Sequence, residues 1–283
     1  MKYLIVAADD FGLSKSINEG IVKAYKDGIV TSLNFMPASK AFDDALSLAR
    51  AIKLEEAGAH LVLTETAPIA DLHSVPTLVT KDGSFYKSYF QFFLNLFSNR
   101  IKQEHIYLEL KTQLDRVKDA GIKITNLSGH EHIQMMPQIL GIFIKLAKEY
   151  DIPSIRYPHG ERLILPFGLK KIYRKLVLSC LQKHAREILN RSGLIYTDNF
   201  LGFLDSGNLR EEAIIDMLAS LKEGVTELVC HPGYLSPEVV DRYIFYLDCE
   251  SELAAFTSRN VRNLIEEKQI KLITYGEFIS KIK

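Results

Sequence analysis

Short apolar runs along the chain alternate with longer stretches whose apolar residues recur every three or four positions, the pattern of strand–helix units feeding a parallel sheet or barrel. Strands are predicted near 3–8, 29–36, 58–63, 122–128, 154–157, 194–197, 225–230 and 270–274. Helices are predicted near 16–27, 41–53, 102–120, 137–149, 209–222, 249–267 and 276–281, several of them closed off by a glycine such as Gly28, Gly121 or Gly224. This alternation predicts an α/β fold, a single-domain irregular (β/α) barrel of parallel strands spanning residues 1–283. Two segments interrupt it. Residues 65–100 carry Pro68, Pro76, Gly83 and several aromatics, too long for a plain connection, and read as a covering loop with a short helix. Residues 160–191 read as a basic helical insertion, in which Arg162, Lys170, Lys171, Arg174, Lys175, Lys183, Arg186 and Arg191 face only Glu161 and Glu187.

Composition narrows the function classes. With 47% hydrophobic and 25% charged residues, the 283-residue chain is globular and long enough for one large core. Lys plus Arg equals Asp plus Glu at 35 each, so no whole-chain field favours nucleic acid, and a small or neutral partner is expected. The N-terminal apolar run ends in acid too soon for a signal peptide, and no stretch approaches the roughly 18 apolar residues of a membrane span. Cys180, Cys230 and Cys249 show no C-x-x-C spacing, so neither a disulfide framework nor a zinc knuckle is indicated and a reducing cytoplasm is expected.

The residues able to do chemistry fall repeatedly at predicted strand ends. Asp9 and Asp10 follow the first strand, His60 lies in the third, His130 and His132 follow the fourth, Arg156 lies in the fifth and His231 follows the seventh. In a parallel barrel these ends share one face. Two adjacent carboxylates at a buried strand end are costly unless a cation pairs with them; the alternative is a helix cap and a solvated acid, with Ser14 and Ser16 nearby. His130 and His132, two residues apart, could reach one metal if the strand continues, or be a structural pair. His60 alone reads equally as a core histidine. Asp10-Phe11-Gly12 imitates a kinase motif but has no glycine-rich loop before it. If His231 faces the pocket, Cys230 faces away, and no G-x-S-x-G elbow occurs, so water activated by a metal is the economical nucleophile.

The motifs A-A-D-D-F-G-L-S at the start, G-I-V-T-S-L from Gly28, G-A-H-L-V-L-T from Gly58, H-E-H-I-Q-M-M-P-Q-I from His130, I-R-Y-P from Ile155 and E-L-V-C-H-P-G-Y from Glu227 follow one another in order. The chain thereby resembles the YdjC-like (ChbG/HpnK) carbohydrate deacetylases, relatives of the polysaccharide deacetylases, over nearly its whole length. The resemblance implies a TIM-barrel-like hydrolase that removes an acetyl group from an N-acetylated sugar. It implies a divalent metal, Mg2+ or Zn2+, on Asp10, His60 and His130, with Asp9 as base, His231 as acid and Arg156 orienting Asp9. The family's fullest fourth motif, D-S-H-x-H-x-H, departs here to Ser128-Gly129-His130-Glu131-His132-Ile133-Gln134. That loses the acid expected to orient the other ring nitrogen of His130. His132 stays open as a further ligand, a substrate contact or packing. Asp198 resembles an acid lining the pocket, toward a sugar hydroxyl or the leaving amine, or else an Asx turn.

Length and the 160–191 insertion look more like the hopanoid-associated branch than the chitooligosaccharide branch, which implies a lipid-linked N-acetylglucosamine as substrate. Leu163, Ile164, Leu165, Phe167, Leu169, Ile172, Leu176 and Val177 interleave with the basic residues, as in a helix lying peripherally on the anionic inner membrane surface, or in an ordinary amphipathic hairpin. The family resemblance also implies a homodimer. The rival functions are a non-catalytic sugar- or glycolipid-binding barrel, against which Asp9 and His231 speak, and another metal-assisted hydrolase such as a phosphoesterase, for which no phosphate-cradling glycine loop is present.

Overall fold

The computed structural model of the chain describes residues 1–161 and 169–282. Its strands are β1 (Lys2–Phe11), β2 (Ser32–Phe35), β3 (Glu56–Leu61), β4 (Lys123–Gly129), β5 (Ser154–Ile155), β6 (Asn199–Leu201), β7 (Gly224–Cys230) and β8 (Lys271–Leu272). They pair in parallel in the order β5-β4-β3-β2-β1-β7-β6, with β8 joined to the start of β1. The sheet is a curled half-barrel, an irregular (β/α) barrel. Its two edges meet through single contacts: Ser154 bridges to Ile195, and the Phe200 N–H donates to the His159 carbonyl at 3.0 Å.

Around the strands lie α1 (Lys15–Asp27), α2 (Phe42–Ala51), α3 (Tyr89–Phe97), α4 (Gln103–Asp119), α5 (Pro137–Glu149), α6 (Leu169–Ser192), α7 (Glu211–Ala219), α8 (Pro237–Arg242), α9 (Cys249–Phe256), α10 (Arg259–Glu267) and α11 (Tyr275–Ile282). Two expectations are corrected. The helix predicted over 249–267 is broken after Phe256, because the Ser258 side chain accepts the Asn260 and Val261 N–H groups and starts α10 afresh. The strand predicted at 194–197 reduces to the single bridge at Ile195, and β6 begins at Asn199.

The segment 65–100 carries α3, and 160–191 carries α6. Arg162, Leu163, Ile164, Leu165 and Phe167 lie outside the described residues, as do the side chains of Leu169, Lys170, Lys171, Arg174 and Val177. Ala185 and Leu189, near the end of α6, are buried in the main core. Among the described residues no helix is long and apolar enough to cross a membrane.

Strand periodicity sorts the side chains into two sets. Leu4, Val6 and Ala8 of β1, Leu33 and Phe35 of β2, Ala57, Ala59 and Leu61 of β3, and Leu228 and Cys230 of β7 join the large apolar core beneath the helices. The alternate positions run from Ile5, packed with Val225, Tyr275 and Phe278, to Asp9. The same alternate positions on neighbouring strands hold Asn34, His60, Asn126, Ser128 and Glu227, all buried. The barrel interior is therefore apolar at one end and polar towards the strand C-termini, where barrel enzymes build their sites.

Candidate active site

At the end of β1 the backbone turns sharply: Asp10 adopts φ 63°, its carbonyl accepts the Leu13 N–H at 3.0 Å, and Ser14 caps α1 through the Ile17 N–H. Ser14 thus does cap a helix. The two acids are not solvated, however, since Asp9 is 2% and Asp10 0% exposed. Glu65, Glu131 and His132 also have positive φ, so four of the eight non-glycine residues in that region among those described surround this one place. Such strain survives only where the surroundings enforce it.

Asp9 is gripped from the barrel interior. Arg156 Nη2 donates to its Oδ1 at 2.9 Å, Arg156 Nη1 to its Oδ2, and Asn34 Nδ2 to Oδ1 at 2.6 Å. Arg156 is itself buried and turns its Nε to Glu227 Oε1 at 2.8 Å. Asn126 Nδ2 donates to Asn34 Oδ1 at 3.2 Å, which fixes the amide that faces Asp9. Burial alone would raise the Asp9 carboxyl; the Arg156 guanidinium, with smaller help from His60 and His231, holds it well below the usual carboxylate range.

Asp10 points to two imidazoles instead. Its Oδ1 lies 3.1 Å from His130 Nδ1 and 3.3 Å from His60 Nε2, and the Tyr246 hydroxyl donates to its Oδ2. Asp10, His60 and His130 each offer a ligand atom within 4.8 Å of the others. Atoms sharing one cation at about 2.1 Å lie about 3.0–3.4 Å apart, so these residues fit an ion, and two imidazoles with a carboxylate suit zinc while leaving positions open. Burial pushes His60 down to about 4, against the pull of Asp9 and Asp10. Burial also opposes charge on His130, but Asp10 and Glu65 overcome it and raise that ring well above its ordinary value. Asp10 is held below the carboxylate range by His130 and His60 despite its burial.

The expected gap beside His130 is filled in an unforeseen way. Ser128 Oγ lies 2.8 Å from Nδ1 of His60, not of His130, and the second nitrogen of His130, Nε2, lies 3.2 Å from Glu65 Oε2. Gln134 accepts the Gly129 N–H at 3.1 Å and braces the turn. His132 stands outside the ligand group; its ring meets Phe200 and Phe203 edge-on, and its buried Nδ1 has no hydrogen-bond partner among the described residues. His231 is similar: its backbone N–H donates to Glu252 at 2.8 Å, its ring meets Phe245 edge-on at 4.9 Å, and its buried Nδ1 is unpartnered among the described residues. Cys230 faces the core, as the strand alternation requires. Asp198 is not brought to this place. Its carboxylate accepts the Val225 N–H at 2.7 Å, at the opposite end of β7 from His231.

Sequence reasoning thus missed Glu65, Tyr246, Asn34, Asn126 and Glu227. The last three carry a signal, being polar residues inside apolar strands; the first two sit in irregular segments and carry none.

The model of the YdjC-like protein family matches residues 3–267. The chain belongs to that family. It is 30% identical to a carbohydrate deacetylase of Thermoanaerobacter pseudethanolicus over 98% of this chain and 99% of the relative. It is 29% identical to a chitooligosaccharide deacetylase of Salmonella paratyphi C over 94% of this chain and 95% of the relative. A crystal structure from Enterococcus faecalis V583, assigned by its name to cellobiose-phosphate cleavage, superposes with a TM-score of 0.80 at 25% identity, covering 98% of both chains. This member of the YdjC-like family therefore shares its fold with a solved relative over 98% of its length.

Proposed function

We propose that this YdjC-like protein is a metal-dependent carbohydrate N-deacetylase, hydrolysing the acetamide of a saccharide that contains N-acetylglucosamine. One observation carries the reading: the Asp10, His60 and His130 ligand group lies beside a buried, guanidinium-bound Asp9 and within the electrostatic reach of His231. The names of the relatives supply the substrate class.

Asp10, His60 and His130 would hold a divalent cation, which when bound would supply Lewis acidity toward the acetyl carbonyl and water. Asp9 accepts the proton of the attacking water. Arg156 and Asn34 keep it anionic and fix its direction, at the expense of making it a weak base. The imidazole of His231, held edge-on by Phe245 and anchored through its backbone to Glu252, donates a proton to the departing amine. His132 contacts the sugar, its unpartnered Nδ1 being a buried polar atom that a ligand would satisfy.

The test is acetate release from short chitooligosaccharides and from a lipid-linked N-acetylglucosamine, with metal added or chelated. Release is expected to stop on chelation and to fall at least about 100-fold in Asp9→Asn. Release that persists in either case sinks the reading.

A further inference from the structure

We propose that Glu65, Tyr246 and Ser128 are positioning residues that commit one definite atom of each ligand side chain to the ion: Oδ1 of Asp10, Nε2 of His60 and Nδ1 of His130. The proposal rests on the metal-dependent reading above and specifies how that site is built.

Each of the three ligand side chains has two polar atoms, and in each one atom is already engaged by a residue from elsewhere in the chain. Ser128 Oγ lies 2.8 Å from His60 Nδ1, Glu65 Oε2 lies 3.2 Å from His130 Nε2, and the Tyr246 hydroxyl donates to Asp10 Oδ2. A neutral imidazole has one N–H and one lone pair. When an ion displaces the proton from Nδ1, the nitrogen 3.1 Å from Asp10 Oδ1, the Glu65 carboxylate facing Nε2 holds the remaining N–H there and leaves the lone pair on Nδ1. At His60 the hydroxyl takes Nδ1, and Nε2 faces the same Asp10 oxygen at 3.3 Å. With Oδ2 occupied by a phenol, Asp10 is left to bind through Oδ1 alone. The two histidines therefore ligate through different nitrogens.

Glu65 is not a fourth ligand. It lies on the far nitrogen of His130 and is absent from the group whose ligand atoms share one centre. Its backbone is held at φ 64°, with its N–H donated to the Tyr86 carbonyl at 3.1 Å, so a left-handed turn at the start of the 65–100 segment aims the carboxylate. Tyr246 ends a single 3-10 turn, Ile244–Tyr246, between α8 and α9. Its ring packs edge-on against Phe245 at 5.2 Å. Two irregular segments at the mouth thus do what a barrel strand does for His60.

The experiment needs no turnover. Zinc affinity of the purified full-length chain is measured by competition with a chromogenic chelator for the wild type, Glu65→Gln, Glu65→Ala, Tyr246→Phe and Ser128→Ala. Loss of such supporting contacts weakens affinity roughly 10–100-fold, with Glu65→Gln milder than Glu65→Ala because its amide oxygen still accepts. Long-range proton–nitrogen NMR of the zinc-loaded wild type, which depends on no variant folding, should show His130 metallated at Nδ1 and His60 at Nε2. Wild-type affinity in both Glu65→Ala and Tyr246→Phe, or His130 metallated at Nε2, overturns the proposal. A wild-type chain that takes up no ion overturns the metal-dependent reading itself.

Discussion

Arg156 is a guanidinium buried between two carboxylates, Asp9 and Glu227, and its removal would leave both facing each other without a cation. Breaking a buried pair from one side costs about 3–5 kcal/mol, so Arg156→Met is expected to lose that much in urea unfolding at pH 7. The pH dependence follows from the sign of the shift. The folded Asp9 carboxyl sits below its ordinary 3.8, so its stabilisation is present above that pH and lost as pH falls below it. In Arg156→Met the remaining acids lose their cation and prefer protonation, so acid should favour the variant while it weakens the wild type. The gap between the two should therefore narrow at about pH 3; a constant gap would argue that Arg156 acts through packing alone. Much of this site was legible. Asp9, Asp10, His60, His130, Arg156 and His231 announce themselves because charged and imidazole groups are expensive at apolar strand ends. Asn34, Asn126 and Glu227 follow the same logic, being buried polar residues at interior positions of otherwise apolar strands. Asp198 is placed in the pocket by the family resemblance alone, whereas β6 starts one residue after it and leaves it at the N-terminal end of that strand.

Elements with continuous apolar runs were found almost where patterning puts them, since parallel strands are buried on both faces. β1 and β7, both central, are the clearest cases. β5 and β6, with two and three residues, are held mainly by their neighbours and by single bridges, which leave little periodic trace. The break between α9 and α10 was invisible to periodicity because apolar spacing continues across it; only Ser258 marks it. Gly58 in β3 shows how an element serves the site. A Cβ there would fall 1.8 Å from Asn34 Oδ1 and 2.6 Å from Asn126 Nδ2, the two amides that brace Asp9 across the barrel. Gly58→Ala is expected to cost about 1–3 kcal/mol and to lower kcat, as Asn34 is pushed from Asp9. Gly141 in α5 is the control, since a Cβ there meets nothing within 4 Å and its φ is helical. Gly141→Ala should stabilise by about 0.5–1 kcal/mol with kcat unchanged. Equal kcat values in the two variants would detach the Asn34–Asn126 pair from catalysis.

For the molecule as a whole, the site is a junction of elements that are distant in sequence. β1 supplies Asp9 and Asp10, β3 His60, the turn after β4 His130, and the two segments at the mouth Glu65 and Tyr246. The unfolded chain does not hold these groups together, so an ion bound at Asp10, His60 and His130 favours the folded state by RT ln(1 + [ion]/Kd), about 2.7 kcal/mol at 100 times Kd. Added zinc or manganese should raise the melting temperature by several degrees, and chelation should reverse it. The variants separate binding from chemistry. Asp10→Asn and His60→Ala should lose the metal-dependent rise, because each removes a ligand. Asp9→Asn should keep the rise and still release no acetate, because Asp9 is turned to Arg156 and Asn34 and lies outside the ligand group. Loss of both in Asp9→Asn would place Asp9 on the ion and undo the division of labour between the two adjacent acids.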